Sequence, residues 1–83
     1  MKLYFENRFG VERPIAEIGT KEDVYKEIQS FLDQYKYKSY YTRSFLDERN
    51  DECIIVYDVG SHTEFFNLHF NSREEAEGFL RMA

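Results

Sequence analysis

A carboxylate, a hydroxyl, an imidazole and a second carboxylate occur close together in the segment Asp58-Val-Gly-Ser-His-Thr-Glu64. An imidazole beside a carboxylate has the chemistry of a general base or of half a metal site. A metal normally takes three or four protein ligands, and alternation along the strand sends His69 to the opposite face. We therefore interpret the segment as a polar turn and keep a speculative polar site, formed by Asp58, Ser61, His62 and Glu64.

The single cysteine, Cys53, is the other candidate nucleophile. A reactive thiol needs a base or a positive charge that lowers its pKa, whereas Cys53 follows Asp51 and Glu52 and then enters an apolar run. We expect a buried, unreactive thiol. One cysteine excludes an intramolecular disulfide and a cysteine-based zinc site, and a small domain without disulfides is typical of a reducing compartment. We expect a soluble, cytoplasmic protein, with no membrane segment, no metal and no cofactor.

Basic and aromatic residues are interleaved in Lys36-Tyr-Lys-Ser-Tyr-Tyr-Thr-Arg43. Rings that stack on bases and cations that meet phosphates are typical of single-strand binding, so a weak nucleic-acid binder using Lys36, Lys38, Tyr40 and Arg43 is one alternative. The whole chain has a net charge of −5, from sixteen acidic and eleven basic residues. That charge disfavours general attraction to nucleic acid or to an anionic membrane.

Acidic residues are concentrated in two places. They bracket one turn, at Asp47, Glu48, Asp51 and Glu52, and they recur in the last helix, at Glu74, Glu75 and Glu77. Carboxylates spaced over a small rigid surface imitate a phosphate backbone, so an acidic inhibitor of a nucleic-acid enzyme is a second alternative. Glutamates near a helix N-terminus also have a structural reason, because they complement the helix dipole.

Two segments, Lys38-Ser-Tyr-Tyr-Thr-Arg-Ser-Phe45 and Asp58-Val-Gly-Ser-His-Thr-Glu-Phe-Phe66, resemble short proteins encoded by phages and prophages of Gram-positive bacteria. The resemblance extends over most of the chain. It implies a setting, the bacterial cytoplasm during infection or lysogeny, and it carries no biochemical activity or functional residue. Small phage proteins of this kind act by binding a host or a phage protein.

The elements that must position these residues follow from hydrophobic periodicity. Alternation predicts a strand over 2–9 and a weaker one over 11–18, where Pro14 favours a sheet edge. Thr20 is a good N-cap, and the apolar stripe of Val24, Ile28, Phe31, Leu32 and Tyr35 predicts a helix over 20–36.

The second half of the chain predicts three further strands, at 38–46, 52–59 and 62–70, and a last helix that begins at Ser72. The run over 52–59 is the most apolar and is expected to be the central strand. The polar segment 47–51 is expected to be a turn. Residues 1–83 therefore form one α+β domain of order β-β-α-β-β-β-α, with a mostly antiparallel five-stranded sheet and two helices on one face.

The aromatic content suggests how such a domain would act. The chain has seven Tyr and eight Phe, more rings than one small core can bury, and exposed aromatic surface is common at protein interfaces. We expect a non-catalytic protein-interaction module that binds a host or phage protein or forms a homodimer. Tyr41, Tyr57 and Phe65 are the candidate contacts, on the open face of the sheet. A weak hydrolase based on His62 is the last alternative.

Overall fold

A computed structural model describes residues 1–82 of the chain. The elements are β1 (Lys2–Glu6), β2 (Glu12–Glu17), α1 (Lys21–Tyr35), β3 (Arg43–Arg49), β4 (Glu52–Asp58), β5 (Phe65–Phe70) and α2 (Arg73–Arg81). This order and the α+β class agree with the sequence prediction.

All five strands form one antiparallel sheet in the order β2-β1-β5-β4-β3. The central strand is β5, and the prediction that 52–59 would be central was wrong. β1 inserts beside β5, where Leu3 pairs with Leu68 and Phe5 with Phe66. Such a pairing between the two ends of the chain leaves no local signal in the sequence.

The core lies between the helices and one face of the sheet. α1 contributes Val24, Ile28, Phe31 and Leu32, and α2 contributes Ala76 and Phe79. These side chains share one buried cluster with alternate residues of the inner strands, namely Leu3, Phe5, Cys53, Ile55, Tyr57, Phe66, Leu68 and Phe70. Both helices therefore cover the same face, which we call the helix face; the other is the open face.

The helix ends follow the capping signals of the sequence. Asp23 accepts a hydrogen bond from the backbone nitrogen of Thr20 at 3.0 Å, and Ser72 Oγ accepts one from the backbone nitrogen of Glu75 at 3.2 Å. The backbone hydrogen bond from Thr20 is the main reason that the pKa of Asp23 is lowered. Lys36 ends α1 in the left-handed region, with φ of 59°.

Strand β3 is displaced from its predicted position at 38–46. It runs from Arg43 to Arg49 and joins β4 through the two residues Asn50 and Asp51, which have φ of 49° and 65°. Two consecutive positive φ values are what a type I′ hairpin turn requires. The polarity of 47–51 was misleading because charged residues are normal in an edge strand. β1 and β5 are also shorter than predicted, ending at Glu6 and beginning at Phe65.

A bulge shapes β2. The register skips Ile15, because Leu3 pairs with Ala16 and Tyr4 pairs with Pro14. The irregularity allows both Ile15 and Ala16 to pack against the core. β2 is an edge strand, as Pro14 predicted.

The open face is strongly curved. Glu6 on β1 lies in the same row of the sheet as Arg43 on β3, six residues from Arg49. In a flat sheet Glu6 and Arg49 would lie about 14 Å apart across the strands and about 20 Å along them. Yet Arg49 Nη1 lies 2.7 Å from Glu6 Oε1. The two corners must therefore curl toward each other, which makes this face concave.

Candidate functional site

The three aromatic residues predicted to share the open face do not do so. Tyr57 is 1% exposed and belongs to the core on the helix face, so its assignment to an interaction surface was wrong. β4 is buried on both faces, and a strand that is apolar on both sides gives no alternation from which to assign a face. Burial raises the pKa of the Tyr57 hydroxyl. Phe65 lies on the open face and is half-buried, and Tyr41 is exposed just before β3.

A polar network occupies the concave face instead. We call it the open-face cluster, formed by Glu6, Glu12, Arg49, Glu52, Asn67 and His69. Asn67 is fully buried at its centre and donates to Glu6 Oε1 at 2.8 Å and to Glu12 Oε2 at 2.9 Å. Buried side-chain amides need such partners because an unmade hydrogen bond in the interior is costly.

His69 joins two carboxylates of this cluster. Its Nδ1 lies 2.7 Å from Glu52 Oε2 and its Nε2 lies 2.7 Å from Glu12 Oε2. A neutral imidazole has one donor and one acceptor, whereas an ionised carboxylate only accepts, so this geometry requires the imidazolium. Burial by itself lowers the pKa of His69, but the hydrogen bonds and negative charges of Glu52 and Glu12 outweigh it and raise that pKa.

The carboxylates of the open-face cluster all have partners within the cluster. Glu6, Glu12 and Glu52 each engage Arg49, Asn67 or His69. In residues 1–82, no group of three or more His, Cys, Asp or Glu is arranged to hold a metal ion. The cluster ties the central strand β5 to β1, β2 and β4 and thereby holds the curvature.

The speculative polar site at Asp58–Glu64 is a folded turn. Ser61 Oγ accepts from the backbone nitrogen of Glu64 at 3.0 Å and donates to the Glu64 carbonyl at 3.1 Å. Asp58 is buried and accepts from the backbone nitrogen of Gly60 at 2.8 Å. No hydrogen bond within residues 1–82 joins His62 to Asp58 or Glu64. The Ser61 hydroxyl and the Asp58 carboxylate therefore bind backbone groups. This is what the interpretation of the segment as a polar turn predicts.

Cys53 is 3% exposed, as expected for a buried thiol. Burial raises its pKa, and the negative charge of Glu48 adds to this effect. A thiol whose pKa is raised forms little thiolate at neutral pH, so this cysteine has the character of a core residue.

Four of the seven residues in the two acidic concentrations form ion pairs with basic residues of the described chain. Asp47 accepts from Arg49 at 2.8 Å, Glu48 lies 3.2 Å from Arg73, and Glu52 contacts His69. In the last helix, Glu77 lies 2.9 Å from Arg73. These ion pairs interrupt the array of free carboxylates that a phosphate mimic needs.

Exposed aromatic rings lie along one edge of the sheet. We define the β3 edge as Tyr40, Tyr41 and the strand Arg43–Arg49. β3 pairs with β4 alone in the described part of the chain, so its outer backbone is unpaired. Tyr40, Tyr41 and Phe45 are 72%, 44% and 43% exposed. An unpaired strand edge with exposed rings is a template for pairing with another chain.

The start of the β3 edge is held firmly by the end of β4. Arg43 donates through Nε and Nη2 to Asp58 Oδ2, at 3.2 and 3.1 Å, and its guanidinium lies 5.7 Å from the centre of the Tyr41 ring. The backbone nitrogen of Tyr40 donates to the Val59 carbonyl at 3.0 Å. A Cβ on Gly60 would lie 3.0 Å from the Tyr41 ring. The edge is therefore pre-positioned rather than loose.

Sequence reasoning named Tyr41 as a contact, assigned Asp47 to an acidic turn instead of a strand, and missed Phe45. The missing signal was the two-residue turn at Asn50 and Asp51, since asparagine and aspartate tolerate positive φ. That turn extends β3 to Arg49 and sets its alternation.

Neither helix within residues 1–82 is long and apolar enough to cross a membrane. Comparison of the chain with protein-family models, with curated proteins and with solved structures found no match in any of the three.

Proposed function

We propose that this chain is a non-catalytic protein-interaction module that binds another polypeptide by adding a strand to the β3 edge. One observation carries the proposal: a seven-residue strand borders the sheet with its outer backbone unpaired and with exposed rings beside it. Backbone hydrogen bonds to an open edge provide affinity, and alternate side chains provide specificity.

The two edges of the sheet differ in a way that supports this choice. β2 carries Pro14, which cannot donate a ladder hydrogen bond, and has a bulge at Ile15. Proline and bulges are the usual protection of a sheet edge against another strand. β3 has neither, and the exposed Phe45 lies next to its central residue, Leu46.

The proposed setting is a phage or prophage of a Gram-positive bacterium, with the protein acting in the host cytoplasm. Support comes from the two segments that carry the resemblance, 38–45 and 58–66. They are in contact in the fold, because Tyr40 bonds to Val59, Arg43 to Asp58, and Tyr41 packs on Gly60. The same contacts build the β3 edge.

The charges of the chain favour this function over the two nucleic-acid alternatives. A single-strand binder needs an excess of positive charge to meet phosphates, whereas this chain has a net charge of −5. An acidic mimic would present Glu48 and Glu52, which are engaged by Arg73 and His69.

A pair of matched variants tests the proposal. Phe45→Lys places a charge in the middle of the β3 edge, and Phe9→Lys makes the same change at a ring that is 81% exposed on the β1–β2 turn. Wild type and both variants would be immobilised and used to capture proteins from a lysate of a Gram-positive bacterium, with mass spectrometry as the readout.

We expect Phe45→Lys to lose the bound protein and Phe9→Lys to keep it. Circular dichroism would establish that both variants are folded. Equal capture by wild type and Phe45→Lys would reject the β3 edge as the binding surface.

A further inference from the structure

We infer that the occupant of the β3 edge is a second copy of this chain, paired antiparallel about a two-fold axis at Phe45. This inference rests on the proposed function and deepens it. The pairing would continue the sheet through two copies, giving ten strands with all four helices on one side.

Symmetry limits the possible registers. A two-fold axis perpendicular to the sheet keeps the helix faces of both copies on the same side. Two residues that lie directly opposite each other in an antiparallel strand pair have their side chains on the same face of the sheet. The axis must therefore lie where one residue is opposite its own copy, and not between two neighbouring residues. Ser44, Phe45 and Leu46 are the central candidates on β3.

The register centred on Phe45 is the one in which the side chains complement each other. Phe45 meets Phe45 of the second copy, an aromatic pair that stabilises cross-strand contacts. Arg43 meets Asp47 of the second copy, and symmetry repeats this opposite-charge pair on the other side of the axis.

The intrachain ion pairs leave the required atoms available. Arg43 uses Nε and Nη2 for Asp58, so its Nη1 is not part of that contact. Asp47 accepts a hydrogen bond from Arg49 through Oδ2, so its Oδ1 is not part of that hydrogen bond. Each guanidinium and carboxylate can therefore make the contact across the axis without giving up its present partner.

The neighbouring registers are worse by the same criteria. An axis at Leu46 sets Arg43 against Arg49 of the second copy, and like charges directly opposite each other destabilise a strand pair. It also sets Phe45 against Asp47. An axis at Ser44 sets Arg43 against Phe45 and leaves Asp47 without an arginine opposite it.

Two measurements test the inference on the full chain. The first is the mass in solution by analytical ultracentrifugation up to high micromolar concentration, where we expect a species of twice 10.1 kDa in reversible exchange with the monomer. The interface is one strand edge, so we expect the dimer fraction to rise with concentration. Phe45→Lys should remain monomeric, and Phe9→Lys should behave as wild type.

The second measurement is a cysteine scan that reads the register. Directly opposite residues have Cα atoms about 4.5–5.5 Å apart, within the range of a disulfide. In the proposed register the two copies of residue 44, or of residue 46, lie about 8 Å apart, which is too far. Under mild oxidation we expect Phe45→Cys to cross-link, and Ser44→Cys, Leu46→Cys and wild type, with its buried Cys53, to stay uncross-linked.

The outcomes separate this inference from the proposed function. A strict monomer at every concentration would overturn the dimer, while a foreign protein still lost by Phe45→Lys would keep the β3 edge as a binding surface. A dimer that cross-links through Ser44→Cys or Leu46→Cys would overturn the register. A dimer unaffected by Phe45→Lys would overturn the placement of the second copy at the β3 edge, whereas the proposed function is rejected by equal capture of a foreign protein by wild type and Phe45→Lys.

Discussion

Arg49 Nη1 on the edge strand β3 lies 2.7 Å from Glu6 Oε1 on β1, although β4 and β5 lie between these strands. The contact exists because the sheet curls around its open face. Glu6 also accepts from the buried amide of Asn67. One carboxylate therefore links the middle of the sheet to the end of the proposed binding strand.

Arg49→Ala should lower the free energy of unfolding by about 1 kcal/mol, because it removes charge-assisted hydrogen bonds that are partly exposed to solvent. Urea denaturation would measure the change. The control is Arg81→Ala, whose guanidinium is 72% exposed and 3.8 Å from Glu77. We expect that control to shift stability by less than about 0.5 kcal/mol. Equal effects of the two changes would mean that the contact with Glu6 does not hold the curvature.

The contacts of His69 with Glu12 and Glu52 should make the free energy of unfolding depend on pH. The folded pKa of His69 is raised above its ordinary value of 6.5, so its contribution is fully present below that value and is lost as pH rises through the folded pKa. Glu12 and Glu52 face its two ring nitrogens, and the ring of Tyr4 packs edge-on at 4.9 Å.

We expect the urea midpoint of the wild type to fall as the pH rises above 6.5 and through the folded pKa of His69. His69→Gln should flatten this dependence, and His62→Gln serves as the control because His62 is exposed on the β4–β5 turn. If the urea midpoint of His69→Gln changes with pH as steeply as that of the wild type, the contacts of His69 do not contribute to the pH dependence.

Tyr57→Phe should stabilise the protein. The Tyr57 hydroxyl is buried and has no hydrogen-bond partner within residues 1–82, and an unmade buried hydrogen bond costs about 1–3 kcal/mol. Removing the oxygen keeps the ring contact with Tyr25 at 5.7 Å. A rise in the thermal midpoint would agree with this account, whereas a fall would mean that the hydroxyl makes a stabilising contact in solution.

Gly60→Ala should destabilise the turn that supports the β3 edge. Gly60 has φ of +89°, and an added Cβ would lie 3.0 Å from the Tyr41 ring and 3.1 Å from Tyr40 Cβ. Strain at such a position costs about 1–3 kcal/mol. Gly78→Ala is the matched control, since nothing lies within 4 Å of its added Cβ and alanine favours a helix by roughly 1 kcal/mol over glycine. Stabilisation by both changes would contradict the packing of Tyr41 on Gly60.

The sequence predicted features that depend on local chemistry. Thr20 and Ser72 marked the two helix starts, the stripe beginning at Val24 marked the buried side of α1, and Pro14 marked an edge strand. Each of these signals acts within a few residues, so it can be interpreted without knowledge of the partner strand.

The features that were missed depend on contacts between distant segments. Tyr57 was placed on the wrong face because β4 is apolar on both sides. β4 was taken as central because the pairing of Leu3 with Leu68 cannot be inferred locally. Asn67 and His69 became the centre of a polar cluster only when the curl brought Glu6 and Glu12 over them.

The most direct test of the central claim is a mixing experiment with two charge variants. Arg43→Glu and Asp47→Lys each set like charges across the proposed axis, whereas one chain of each kind restores an opposite-charge pair on both sides. By native mass spectrometry and ultracentrifugation, the account predicts two monomers alone and a one-to-one dimer on mixing. Dimers of either variant alone, or folded chains that stay monomeric after mixing while the wild type dimerises, would contradict it.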